Sequence, residues 1–217
     1  MNGQERQIKR ESRGRLFVLA GPSGAGKGTL RSRALADVEG WVYSISCTTR
    51  APRGGERDGV EYRFLSREAF EEKVERNLFL EYALVHGNFY GTLREDVQRD
   101  LDAGRDVLLE IDVQGAKQVR KLIPDCVLIF ISPPSLSVLS ERLRKRGTDS
   151  EEQIALRLSN AKEEMKYASF CDHVVVNDEL DAATEELRRI ILSYKGTDSK
   201  TGSKRPGETE PGKNKTT

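Results

Sequence analysis

The sequence is poor in the residues that build disulfide frameworks and transition-metal sites. Its three cysteines, Cys47, Cys126 and Cys171, form an odd and widely spaced set without a Cys-x-x-Cys pair. The two histidines, His86 and His173, lie far apart and outside any metal-ligand pattern. Such a cysteine pattern is typical of reduced thiols in a cytosolic protein. We therefore expect a cytoplasmic protein without disulfides or a zinc site, whose histidines are structural or surface residues.

The chain also lacks an excess of charge and a long apolar run. Lysine and arginine number 36 against 35 aspartate and glutamate residues, so the net charge is +1 and no global field favours nucleic acid. No apolar run approaches the roughly 20 residues that cross a bilayer. Residues 1–14 form a polar arm without the apolar segment of a secretory signal, and residues 195–217 are expected to be disordered. We expect neither nucleic acid nor membrane as a partner.

A glycine-rich turn between a strand and a helix stands near the start of the chain. The apolar run 16–20 leads into Gly21, Pro22, Ser23, Gly24, Ala25, Gly26, Lys27, Gly28 and Thr29. Glycines let consecutive backbone N–H groups surround a phosphate, and a helix N-terminus adds partial positive charge. The stretch predicts a loop that binds a nucleoside triphosphate, with Lys27 reaching the β- and γ-phosphates. Gly28 stands where the strict motif has Ser or Thr, and an ordinary strand-to-helix turn is the alternative.

Strands and helices alternate along most of the chain with short connections. Residues 41–47 and 60–65 each predict one strand, and a capping box at Ser150 predicts a helix to about Tyr167. The alternation indicates the α/β class with a doubly wound parallel sheet, whose ligand lies at the carboxyl ends of the strands. The expected division is one domain over residues 15–194, with a core (15–47 and 93–194), a small mainly β insertion (48–92) and a helical lid (about 142–157).

Two carboxylates end a predicted buried strand. Glu110 and Asp112 are two residues apart and therefore face the same side of that strand. Burying both is costly unless they meet cations or ligand donors, which favours a functional role. Asp112 is placed as a carboxylate that holds Mg²⁺ or its waters beside phosphates, and a helix-capping or turn aspartate is the alternative.

Five arginines are candidates for binding phosphate. Arg50 and Arg53 belong to a basic, turn-rich stretch, and two guanidinium groups close together match a phosphate dianion. A solvated basic loop is the alternative for this pair. Arg142 and Arg146 would equally complement the C-terminal dipole of their helix, and Arg157 would equally be an exposed helix residue.

Several motifs occur in one order along the chain, namely 21–29, Ser46-Cys-Thr-Thr-Arg-Ala-Pro-Arg53, Asp58-Gly-Val-Glu-Tyr62, Leu80-Glu-Tyr82, Gly87-Asn-Phe-Tyr-Gly-Thr92, Glu110-Ile-Asp-Val-Gln-Gly115, Arg146-Gly-Thr148 and Val176-Asn-Asp178. Together they resemble bacterial-type guanylate kinase over about residues 15–194. The resemblance implies a P-loop kinase core, a GMP-binding insertion and a mobile lid.

The resemblance also implies a role for each candidate residue. Glu81 and Ser46 read guanine, since Glu81 accepts from the N1–H and the 2-amino group and Ser46 bonds O6. The full set assigned to GMP is Ser46, Arg50, Arg53, Tyr62, Glu81, Tyr90, Thr92, Glu110 and Asp112. The set assigned to ATP is the loop 21–29 with Asn177, and the set around the transferring phosphoryl group is Lys27, Arg142, Arg146 and Arg157. Thr29 and Asp112 are the indirect candidates for Mg²⁺. Without the family, Tyr62 and Tyr90 would be interpreted as half-buried strand aromatics.

The activity that the resemblance implies is ATP + GMP → ADP + GDP, through a Mg²⁺ complex and in a monomer or a homodimer. Two departures from the family pattern are Gly28 and Glu110, which stands where many relatives carry aspartate. The alternatives are a kinase for another monophosphate acceptor and a non-catalytic interaction module related to guanylate kinase.

Overall fold

The computed structural model describes residues 13–85, 87–147 and 149–195. The expectations for His86, for the first twelve residues of the polar arm and for residues 196–217 lie outside the described residues. Strands are β1 (Leu16–Ala20), β2 (Trp41–Tyr43), β3 (Cys47–Thr48), β4 (Arg63–Phe64), β5 (Phe79–Val85), β6 (Asn88–Leu93), β7 (Asp106–Glu110), β8 (Val127–Ser132) and β9 (His173–Val176). Helices are α1 (Lys27–Ala34), α2 (Arg67–Glu75), α3 (Arg94–Asp102), α4 (Val113–Leu122), α5 (Leu136–Arg146), α6 (Glu151–Met165) and α7 (Leu180–Ser193).

Five strands form a parallel sheet in the order β2-β7-β1-β8-β9. Alternate residues of the central strand β1 face opposite sides. Val18 packs in a cluster with residues of α3 and α4, whereas Phe17 packs in a cluster with residues of α1 and α7. Helices therefore cover both faces, which explains why the strand is apolar throughout. The predicted doubly wound α/β fold is confirmed.

A second sheet of four strands has the order β4-β3-β6-β5 and mixes parallel and antiparallel pairs. Its small core centres on Phe70 of α2, whose ring stacks on Phe79 at 4.4 Å and on Phe89 at 5.2 Å between centroids. The single strand predicted over 41–47 is wrong, because β2 pairs within the first sheet and β3 within the second. The strand predicted over 60–65 is reduced to β4.

Polar side chains cap the N-termini of several helices. The capping box at Ser150 is confirmed, with the Ser150 and Gln153 side chains each bonding the other's backbone N–H. Asp112 caps α4 by accepting from the Gly115 N–H at 2.8 Å. The helix predicted to Tyr167 ends as α-helix at Met165 and continues as a 3₁₀ turn. Within the described ranges, no helix has the length and apolar character of a membrane span.

Candidate active site

The glycine-rich loop follows β1 and enters α1 at the carboxyl end of the sheet. Gly24 and Gly26 have φ values of 95° and 92°, a region that residues with a Cβ rarely adopt. A Cβ at Gly26 would also lie 2.3 Å from Nδ2 of Asn177. That Nδ2 donates to the Ala25 carbonyl at 2.7 Å. The side chain of Asn177 therefore fixes the loop conformation, a contact that the sequence did not predict.

Lys27 is the first residue of α1 and its ammonium group lies over the loop. Its Nζ donates to the carbonyl oxygens of Gly21 at 2.6 Å and Pro22 at 3.2 Å. Burial lowers the pKa of Lys27, and the negative charges of Glu110, Glu164 and Asp112 oppose this effect. The cation is thus held where a polyphosphate on the loop would meet it.

The carboxylates at the end of β7 lie beside this cation. A Cβ added at Gly28 would stand 3.5 Å from both carboxylate oxygens of Glu110, which places this carboxylate against the loop. Arg31, one turn after Lys27, is 3.3 Å from Glu110 and 3.6 Å above the Tyr43 ring. Glu110 is therefore fixed from α1, and Asp112 both caps α4 and faces the cavity.

These oxygen donors fit a divalent cation of the Mg²⁺ type. Mg²⁺ is bound by one or two carboxylates together with waters and substrate phosphates, rather than by a complete protein cage. Glu110 and Asp112 supply that number of carboxylates beside Lys27. Over residues 13–85, 87–147 and 149–195, no cluster of three or more acidic, histidine or cysteine side chains could form a cage.

The segment 142–157 brings arginines to the loop from the opposite side. Arg157 of α6 donates to Ser23 Oγ at 2.8 Å and to Asp149 at 3.0 Å. The Asp149 side chain is only 8% exposed, so this ion pair is well shielded. Arg142 of α5 donates to the backbone carbonyl of Asn177 at 2.9 Å. The loop is thus linked by hydrogen bonds to α6 directly and to α5 through Asn177.

The connection between β3 and β4, together with Tyr90 of β6, supplies a basic and aromatic wall of the cleft. Arg50 donates to Glu56 at 2.9 Å, and the other carboxylate oxygen of Glu56 accepts from the Arg53 N–H at 2.8 Å. The Arg50 guanidinium holds the pKa of Glu56 below its usual value. Tyr62 lies 5.4 Å from that guanidinium and edge-on to Tyr90 at 5.9 Å between ring centroids. The arrangement presents a cation beside two phenols.

A buried carboxylate lines the same cleft. Glu81 of β5 is 3% exposed and accepts a 2.6 Å hydrogen bond from the Thr92 hydroxyl. An irregularity in the pairing of β5 and β6 places these two residues opposite each other. Burial raises the pKa of Glu81 to about 7, and the Thr92 hydroxyl opposes the shift. Ser46 is also buried and, with Glu81, faces the cavity.

One open cleft of about 560 Å³ brings most of the candidates together. The predicted residues that line it are Gly21, Ser23, Gly24, Gly26, Lys27, Gly28, Thr29, Ser46, Arg50, Arg53, Tyr62, Glu81, Tyr90, Glu110, Asp112, Arg146 and Arg157. Arg142 and Asn177 line an adjoining cavity of about 360 Å³, which shares Thr29 and Arg146. Thr92, Pro22 and Ala25 are outside both linings, and Thr92 contacts Glu81 instead.

Three acidic residues in the cleft were not predicted: Glu56, Asp149 and Glu164. Glu56 stands alone in the basic stretch after Arg50 and Arg53, which was a usable signal for an internal ion pair. Asp149 immediately precedes the capping box, whereas Glu164 has the appearance of an ordinary helix carboxylate. Burial raises the pKa of Glu164, which lies near Lys27 and Asp112. Only the structure shows that Glu164 lies at the site.

Comparisons with known proteins agree with this geometry. A family model for guanylate kinase matches residues 13–194. The chain is 49% identical to a guanylate kinase of Desulfitobacterium hafniense (strain Y51) over 185 residues, covering 85% of this chain and 92% of that protein. It is 52% identical to a guanylate kinase of Neisseria meningitidis serogroup A over 179 residues, covering 82% and 87%.

A solved structure is similar over nearly the same length. The crystal structure of guanylate kinase from Anaplasma phagocytophilum superposes with a TM-score of 0.68 at 33% identity, covering 88% of this chain and 89% of that one. Because the family model spans residues 13–194 and these relatives are about 50% identical over most of the chain, the chain belongs to the guanylate kinase family.

Proposed function

We propose that this chain transfers the γ-phosphoryl group of ATP to GMP, giving ADP and GDP. The observation that carries the proposal is that one cleft is lined both by the loop with Lys27 and by the buried pair Ser46 and Glu81. The first half suits a nucleoside triphosphate and the second suits a guanine base. Family membership supports the same reaction.

Guanine recognition rests on the buried carboxylate. Glu81 would accept from the N1–H and the 2-amino group of guanine, while the Ser46 hydroxyl would donate to O6. Adenine has neither of those two donors, so it would leave a buried carboxylate unpaired. Thr92, which donates to Glu81 at 2.6 Å, would orient this carboxylate rather than touch the base.

The phosphate of GMP would lie between the guanine pocket and the loop. Arg50, Arg53, Tyr62 and Tyr90 offer guanidinium and phenol donors at that position in the cleft. The carboxylate of Glu56 already accepts from the Arg50 guanidinium and from the Arg53 backbone N–H, which supports this part of the cleft as a site for an anionic group. Two arginines bind a phosphate dianion with both charge and directional hydrogen bonds.

Phosphoryl transfer requires alignment and neutralisation of charge. The attacking atom is an oxygen of the GMP phosphate, which is already ionised near pH 7, so no general base is needed. Lys27, Arg146 and Arg157 face the cleft and would stabilise charge on the transferring group, and Arg142 would approach it from the adjoining cavity. Closure of the lid over residues 142–157 would exclude water, which otherwise accepts the phosphoryl group.

The remaining assignments complete the proposal. Bound with ATP, Mg²⁺ would neutralise the β- and γ-phosphates, and Asp112, Glu110 and Thr29 are the residues that would hold it or its waters. We assign the insertion 48–92, together with Ser46, to GMP, and the loop 21–29 with Asn177 to ATP. Asn177 would lie at the adenine end of the loop, and the reduced-thiol pattern of the sequence supports a cytoplasmic location.

The deciding experiment is release of ADP from Mg-ATP across a panel of acceptors. We expect turnover to fall in the order GMP, IMP, AMP, because IMP keeps the N1–H and O6 but lacks the 2-amino group. The difference between GMP and AMP should be at least about 10⁴-fold in kcat/KM, as for sites that hydrogen-bond a distinguishing group. Lys27→Met is the control for enzymatic turnover. Equal turnover of AMP and GMP would refute GMP as the specific acceptor. No turnover with any acceptor would favour the non-catalytic interaction module.

A further inference from the structure

A glycine inside a helix touches the carboxylate that reads guanine. Gly115 is buried in the first turn of α4, and its φ lies outside the left-handed region. Glycine is less favourable than alanine in a helix, so the backbone alone gives no reason for it. A Cβ at this position would lie 2.3 Å from Oε2 of Glu81 and 3.0 Å from its Cδ. The space that the missing side chain leaves is occupied by Glu81.

Glu81 is also held from its other sides. The Thr92 hydroxyl donates to Oε1 at 2.6 Å. One turn along α4, Gln118 donates from Nε2 to the Tyr82 carbonyl at 2.7 Å and accepts from the Tyr82 N–H at 3.3 Å. Gly115 and Gln118 are three residues apart and therefore lie on the same face of the helix. The backbone beside Glu81 is thus tied to α4 and cannot easily slide away.

We propose that Gly115 is a specificity-determining positioning residue. Because it has no side chain, it leaves the space in which the Glu81 carboxylate is held in position to bind guanine. The inference rests on the proposed function, since it concerns recognition of the acceptor base. It links α4, which Asp112 caps, with the guanine pocket. Asp112 accepts from the Gly115 N–H at 2.8 Å, so one residue joins both halves of the cleft.

Gly115→Ala tests directly whether the space beside Gly115 positions the Glu81 carboxylate. Ordinary contact distances would require the carboxylate to move by about 1 Å, and a displacement of that size costs up to about a hundredfold in a positioned site. We expect KM for GMP to rise at least tenfold and the GMP/AMP ratio of kcat/KM to fall at least tenfold. KM for ATP should stay within twofold, because the loop is not displaced. Lys121→Ala, on an exposed part of the same helix, is the matched control.

A second variant protects the test against simple misfolding. Glu81→Asp shortens the side chain by one methylene, which leaves room for the alanine. In a double-mutant cycle, Glu81→Asp with Gly115→Ala should lose at least fivefold less in kcat/KM for GMP than the two single losses combined. If Gly115→Ala fails to fold, the double variant should fold and turn over GMP. Failure of both to fold would assign Gly115 to general packing and overturn the inference.

The outcomes separate the inference from the proposed function. If Gly115→Ala leaves KM for GMP and the discrimination between GMP and AMP unchanged, the positioning role of Gly115 is overturned. Turnover of GMP by the wild type would then still support the proposed kinase activity. Equal losses for ATP and GMP with a lower melting temperature also overturn the positioning role, because they indicate a structural role. A wild type that does not use GMP refutes the proposed function and the inference with it.

Discussion

At the scale of single residues, the site depends on the carboxyl group of Glu81, whose pKa is unusually high. A carboxylate discriminates strongly between bases only where water cannot replace the lost partner, and burial that excludes water also raises the pKa. For Glu81 the pKa is raised to about 7, since burial outweighs the hydrogen bond from Thr92. The ionised form required by guanine is therefore only partly populated near neutral pH.

Turnover of GMP should depend on pH through Glu81. A group with a pKa of about 7 is roughly one-tenth ionised at pH 6 and nine-tenths ionised at pH 8, so kcat/KM for GMP should rise about tenfold over that interval. Steady-state kinetics with saturating Mg-ATP measures this rise.

The phosphate of GMP also titrates near pH 6 and requires a control. Glu81→Gln removes the carboxyl group while keeping the phosphate, so its pH profile reports the phosphate alone. If the wild type and Glu81→Gln had parallel profiles between pH 6 and 8, the raised pKa would have no part in recognition.

At the scale of secondary structure, local sequence signals predicted most helices and strands. They failed where the pairing between strands determines the bounds of an element. The apolar run of β1 and the capping residue Ser150 are local signals, and both predictions are confirmed. Residues 41–47 have one continuous strand pattern, yet the chain leaves the first sheet after Tyr43 and enters the second at Cys47. The Glu81–Thr92 bond similarly depends on the register of two strands, which alternation does not encode.

The N-cap of α6 should affect catalysis more than an equivalent cap elsewhere. Ser150→Ala removes the bond to the Gln153 N–H at the start of the helix that carries Arg157 and is expected to cost about 1 kcal/mol. If this loosens the position of Arg157 in the cleft, kcat should fall about fivefold, which corresponds to the same energy. Denaturant unfolding and kcat measured on one preparation give both numbers.

Ser66→Ala is the matched control for this variant. Ser66 caps α2 in the same way, accepting from the Ala69 N–H at 3.1 Å, and no residue of α2 lines the cleft among those the structure describes. We expect a similar loss of stability with kcat within twofold of the wild type. Equal kinetic losses in both variants would show that general destabilisation, rather than the lid, explains the effect.

At the scale of the whole molecule, two sheets share one binding cleft. Helix α4 packs against β1 in the first core and against β5 of the second sheet through Gly115 and Gln118. A ligand that contacts both walls therefore stabilises both sheets together. The resemblance predicted which residues line this cleft, because the motifs that carry them can be recognised in the sequence by their residues and their order. The bridging role of α4 could not be predicted, since it arises from contacts between distant segments.

Binding of each substrate should raise the melting temperature of the whole domain in one transition. A ligand at a hundred times its Kd adds about 2.7 kcal/mol, which corresponds to a shift of about 5–10 °C for a domain of this size. Glu81→Gln should lose most of the shift caused by GMP and keep the shift caused by Mg-ATP, whereas Lys27→Met should do the reverse. Calorimetry with each substrate on each variant gives the four shifts. Loss of the GMP shift in Lys27→Met but not in Glu81→Gln would contradict the assignment of the two halves, and two separate transitions would contradict coupling of the sheets through α4.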